Sequence, residues 1–186
     1  MYFAKLSLLI TSAVVYSCGI LCAQPGTTGK TNKAIVIDMN RLFNEGKTDS
    51  AMLYFSDSLT GAGRPGVRSP FRLMQEDIDK SFPGVQTKIQ DIWEEGDWVI
   101  ARCRFTGSHE GVARLPHHGG LFVNVTPTHK SFSVQHIRMY KVVNGKIVAR
   151  QAVRDDLGMY QQLGLLPAPA PFTPPADSGA AGGRKG

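Results

Sequence analysis

Apolar residues first recur at Ile35, Met39, Leu42 and Phe43, the spacing of one helical face. Asn44-Glu45-Gly46 then supplies a C-terminal stop, which predicts an amphipathic helix from Asn32 to Asn44. Thr48 or Asp49 ahead of Met52-Leu53-Tyr54-Phe55 predicts a second, short helix over Asp49 to Phe55, after which Gly61-Ala62-Gly63-Arg64-Pro65-Gly66 reads as a mobile loop. Phe71, Met74 and Ile78 give a third helical stripe from about Ser69 to Lys80, ended by Phe82-Pro83-Gly84.

After Gly84 the period changes from helix to strand. Val85 to Trp93 alternates, Glu95-Gly96-Asp97 turns, and Trp98 to Phe105 runs back with Val99, Ala101, Cys103 and Phe105 on one face. Lys130 to Val142 is a long strand with Phe132, Val134, His136, Arg138 and Tyr140 on one face, so two long polar side chains stand among apolar neighbours. Asn144-Gly145 turns into Lys146 to Val153, where strict alternation puts Ile147, Ala149, Gln151, Val153 and Asp155 together. A short helix from Met159 to Leu163 follows. Helices followed by an antiparallel meander define an α+β fold.

The flanks do not follow either period. Met1 to Lys5, the apolar run Leu6 to Leu21 and the small residues near Cys22-Ala23 read as a signal peptide over residues 1–23, which predicts a secreted or periplasmic protein with no stable membrane insertion after processing. Lipoprotein anchoring at Cys18 or Cys22 is the second reading, disfavoured by Tyr16 and Leu21. Residues 24–31 are a linker, 32–166 the folded domain, and 167–186 a disordered Pro/Ala/Gly-rich tail. Once the leader is removed only Cys103 remains, so no intramolecular disulfide forms. Cys103 itself reads as a core residue on an apolar strand face.

The formal charge of +6 falls to +4 between residues 24 and 166, with 18 Lys and Arg against 14 Asp and Glu, and this excess is scattered. No basic stripe is interleaved with aromatics, so nucleic acid is excluded as a partner. All five histidines lie between His109 and His136. His117-His118 stands in a Gly-flanked loop with no HExxH spacing and no carboxylate fixed nearby, so no metal site is expected.

Five short motifs resemble the SnoaL-like polyketide cyclases, also called ester cyclases. They are Gly96-Asp97-Trp98-Val99, Thr106-Gly107-Ser108-His109-Glu110-Gly111, Pro127-Thr128-His129-Lys130, Asn144-Gly145-Lys146-Ile147-Val148, and Asp155-Asp156-Leu157-Gly158-Met159 with Gln162-Leu163-Gly164. The resemblance covers roughly Asn32 to Pro167 and implies a cone-shaped α+β barrel of the nuclear-transport-factor-two-like type, with N-terminal helices packed on a curved, mostly antiparallel sheet. It also implies an aldol-type cyclisation by an aspartate acid/base without metal or cofactor, and a homodimer.

Carried over by motif, the catalytic aspartate is Asp155 and its partner His109; Asp156 is then the helix cap. Arg138, His136, Gln151 and Trp98, on the strands, are the expected substrate-binding residues. Many relatives carry His-Trp pairs where this chain has Arg138-Met139 and Arg150-Gln151. An arginine there holds a nearby carboxylate as the anion, which suits a hydrophobic substrate that is itself anionic. The alternative is a binding protein that keeps the fold and its pocket without turnover.

Overall fold

The computed structural model describes residues 29–61 and 64–167. The leader, with Cys18 and Cys22, and the tail beyond Pro167 lie outside the described residues. In chain order the elements are α1 (Asn32–Asn44), α2 (Thr48–Met52), β1 (Phe55–Gly61), α3 (Arg68–Ser81), β2 (Gln86–Glu95), β3 (Trp98–Ser108), a 3₁₀ turn (His118–Gly120), β4 (Ser131–Val143), β5 (Lys146–Arg154) and α4 (Asp156–Gln162).

α1 starts where Thr31 accepts a hydrogen bond from Ala34 N at 3.2 Å, and it buries Ile35, Val36 and Met39. Each such fully buried side chain contributes roughly 1.5–3 kcal/mol. Its far end is pinned to β2 by a side-chain clamp: Asn44 donates to Thr87 O at 3.0 Å and accepts from Thr87 N at 2.9 Å.

The five strands form one sheet in the order β1-β5-β4-β3-β2. β2 through β5 are the expected antiparallel meander, and Val99, Ala101, Cys103 and Phe105 share the buried face as their alternation predicts. β1 is an addition. Phe55 ends no helix; it opens a strand that pairs parallel with β5, opposite Ile147, and so closes the side of the sheet that the sequence left open.

Two bulges shape the sheet. Between Ile89 and Asp91 the register against β3 shifts, and between Lys141 and Val142 the register against β5 shifts because Val148 is an extra residue. An extra residue bends its strand and reverses the parity of everything after it. Beyond Val148 the inward residues are therefore Arg150, Ala152 and Arg154, which stand opposite Tyr140, Arg138 and His136.

The helices cover the inner face, with α1 on β2 and β3, α3 on β1 and α4 on β4. Two apolar clusters result. One gathers Met39, Phe55, Val99, Tyr140 and Ile147 beneath α1, and the other gathers Phe82, Phe105, Phe122, Phe132 and Tyr160 beneath the 109–130 loop and α4. No helix among the described residues is long and apolar enough to cross a membrane.

Candidate active site

A cavity of about 320 Å³ lies where the two clusters meet. Phe43, Phe55, Phe71, Met74 and Phe105 supply apolar walls, and the sheet supplies His136, Arg138, Arg150 and Arg154. His117 and His118 reach it from the loop before β4. The bulge at Val148 is what turns Arg150 and Arg154 inward.

His118 has a left-handed backbone (φ 49°) at the head of the 3₁₀ turn, which delivers its ring beneath α4. The ring stacks on Phe105 at 5.4 Å between centroids and 19° between planes. Its Nδ1 stands 3.0 Å from Asp156 Oδ1. Asp156 also accepts from Arg154 Nη2 at 3.1 Å. Burial pushes the Asp156 carboxyl up, but the hydrogen bonds from His118 and Arg154 outweigh it and bring it to about 2. Asp156 is thus an anion near neutrality and can only accept, so the His118 nitrogen facing it carries the proton. Burial outweighs the pull of Asp156 and pushes the His118 pKa down, which favours the neutral ring near pH 7.

His136 stacks on the same Phe105 at 4.8 Å, and its Nε2 is buried without a partner. Burial first, and then the Arg138 charge, lower it to about 2. His117, between Phe82 and Phe122, is lowered to about 4 mainly by burial. Its Nε2 lies 3.3 Å from Asp77, a carboxylate that accepts from the backbone N–H groups of Arg114 and Leu115 and so ties the loop to α3.

Residues 34–163 match the family model for SnoaL-like polyketide cyclase. The chain belongs to that family. It is 29% identical over 138 residues to the aklanonic acid methyl ester cyclase AcmA of Streptomyces galilaeus, covering 70% of this chain and 89% of that protein. The cyclase DauD of Streptomyces sp. (strain C5), named for the same ester, is 28% identical over 145 residues, covering 74% and 83%. Among solved structures, AclR from Streptomyces galilaeus superposes with a TM-score of 0.63 at 23% identity over 75% of this chain and 84% of its own. A SnoaL-like polyketide cyclase from Agrobacterium tumefaciens gives 0.60 at 19% identity over 72% and 98%. These likenesses agree with the cone-shaped α+β fold that the motifs imply.

Within this SnoaL-like frame the two aspartates exchange the positions expected of them. Asp155 is exposed and caps α4, its Oδ1 accepting from Gly158 N at 2.9 Å, while Asp156 turns to His118 and Arg154, two residues of the cavity wall. The cause is the Val148 bulge, since alternation without it puts Asp155 on the inner face. His109 is also displaced from the cavity. It is fully buried between Phe82 and Phe122, and its Nδ1 accepts from Thr128 N at 3.2 Å, so it anchors the loop. Trp98 lies at the β2–β3 turn on the outer face, opposite Lys141, and does not reach the cavity. Gln151 borders the cavity but pairs with Met139 on the outer face. Arg138 and His136 stand in the wall, as their alternation along β4 predicts.

In the sequence His118 stands in a Gly-flanked loop with no carboxylate fixed near it. The fold brings Asp156 to it, and ligand atoms of His118, His136 and Asp156 lie within 4.8 Å of one another. Histidines and a carboxylate so grouped have the composition of a cation site. Arg154 already neutralises Asp156, however, and a dication would face the Arg138 and Arg154 guanidiniums as well. The arrangement is better suited to moving protons.

Proposed function

We propose that this protein is a cyclase- or isomerase-type acid/base enzyme acting on a small, largely apolar, anionic carbonyl compound, with His118 as the base and Asp156 as its positioning partner. The observation that carries this reading is the His118–Asp156 hydrogen bond at the wall of a cavity that combines apolar side chains with arginines. An ionised Asp156 holds the Nδ1–H tautomer of His118, leaving Nε2 with its lone pair as the proton acceptor. His118 takes the proton from a carbon beside a carbonyl, and the charge of the resulting enolate develops next to Arg138. The enolate carbon then attacks a second carbonyl, and the proton on His118 passes to the new alkoxide. Proton count and charge close without a cofactor. The role that the motif assigns to Asp155 passes in this reading to the His118–Asp156 pair.

The relatives' names, cyclases of an acid methyl ester in a polyketide cyclase family, suggest polyketide acids and their esters as first substrates to try. The test is deuterium exchange at the acidic carbon of a panel of aryl 1,3-dicarbonyl acids and their methyl esters in D₂O, followed by proton NMR. Exchange that His118→Ala abolishes supports the reading. No exchange across the panel, or exchange indifferent to His118→Ala, favours the non-catalytic binding protein instead.

Export and sheet-mediated homodimers belong to the same proposal. Support for export is the apolar run Leu6 to Leu21 after Lys5. Support for pairing is the outer face of the sheet, where Trp93, Trp98, Ile100, Ile137 and Val153 are all exposed.

A further inference from the structure

Arg41, Arg68, Arg72, Arg102 and Arg154 each stand against a carboxylate. Arg138 and Arg150, which face the cavity, have no such partner among the described residues. They are diagonal neighbours on one face, since Arg138 pairs with Ala152 and Arg150 with Tyr140. Each guanidinium lies over an aromatic ring of the cavity wall: Arg138 over Phe105 at 5.7 Å and Arg150 over Phe71 at 4.6 Å. Stacking fixes the plane of the guanidinium and leaves N–H groups at its edge for an oxyanion, although Arg150 also stands beside the Tyr140 hydroxyl, a neutral partner that supplies no counter-charge. The Nε of Arg138 is already buried without an acceptor.

Two cations against the apolar side chains of this cavity without a counter-charge are costly, and the Asp156 carboxylate is already committed to Arg154 and His118. We propose that Arg138 and Arg150 form an oxyanion subsite, so that this cavity takes its ligand as a free acid and rejects the corresponding ester. The ligand class is a carboxylate or phosphate on a flat, mostly apolar body that fits between Phe71 and Phe105. This rests on the reading of the cavity as the substrate site and adds the specificity. It separates this chain from its relatives named for a methyl ester.

The test is calorimetric titration of the protein with 1-hydroxy-2-naphthoate, its methyl ester and 1-naphthyl phosphate. None of these has an acidic carbon-bound proton beside a carbonyl, so binding is read without the proton abstraction assigned to His118. At least one anion is expected to bind about tenfold or more tighter than the ester, with affinity that falls as salt rises. Arg138→Met and Arg150→Met should each erase that preference, and Arg150→Lys should keep part of it. The tighter of the two anions identifies the natural headgroup. Equal binding of acid and ester, no binding of either anion, or a preference that survives both methionine substitutions would overturn the proposal.

Discussion

Asp155 and Asp156 are adjacent in the chain and turn to opposite sides of the α4 N-terminus: Asp155 folds forward onto Gly158 N, and Asp156 reaches back to His118. The two carboxylates should therefore respond differently to substitution. Asp155→Ala removes a cap and should cost about 1 kcal/mol of stability in urea titration, with activity kept. Asp156→Asn should lower turnover roughly 100-fold or more, because an amide does not hold the Nδ1–H tautomer of His118 against its alternative. The reverse pattern would return the acid/base role to Asp155.

Acid should destabilise the fold from a higher pH than carboxylates alone explain. His117 and His136 have folded pKa values of about 4 and about 2, and those of His109 and His118 are also depressed by burial. The unfolded chain binds protons on these rings below about pH 6.5 more readily than the native state does, so stability falls as pH drops through that value, and for His117 and His136 it continues to fall toward pH 4. Each ring contributes a slope of up to about 1.4 kcal/mol per pH unit in that window. Asp156 adds a loss of about 2 kcal/mol between roughly pH 4 and its folded value of about 2. Urea midpoints measured from pH 8 down to about pH 2 check this, and His117→Phe should flatten the slope above pH 4.

Arg150→Met should make the ligand-free protein more stable, by about 1–2 kcal/mol, because it removes a cation that has no carboxylate partner and keeps the contact with Phe71. A thermal melt of the purified variant reads this directly. Destabilisation instead would mean that Arg150 serves the fold and not a ligand.

Ile100 lies near the centre of the exposed apolar patch on the outer sheet face, opposite Met139 and Trp93. If that patch pairs two copies, Ile100→Glu should convert dimers to monomers in light scattering after gel filtration, with the monomer still folded by circular dichroism. An unchanged mass would remove sheet pairing from the account.

Much of the architecture can be read directly from period. α1 and α3 appear in the spacing of Ile35, Met39, Phe71 and Met74, and β2 to β5 appear in alternation broken at Gly96 and Gly145. β1 was hidden because Phe55-Ser56-Asp57-Ser58 is too polar to alternate visibly and its partner β5 lies about 90 residues away. The site was legible only in part, for a related reason. Arg138 and His136 lie on an unbroken strand, so counting by twos finds their face. Asp156 lies beyond Val148, where one unpaired residue reverses the count, and nothing in the local sequence marks it. The burial of His118 depends on Phe105 and Phe122 meeting a loop from another part of the chain, which no local pattern records.

The most direct test of the His118–Asp156 assignment is the nitrogen-15 spectrum of the His118 ring near pH 7, assigned with His118→Gln. A neutral ring with Nδ1 protonated and Nε2 bare is expected, with a shift of that equilibrium in Asp156→Asn. A ring protonated at Nε2 alone, or a doubly protonated imidazolium, would contradict it.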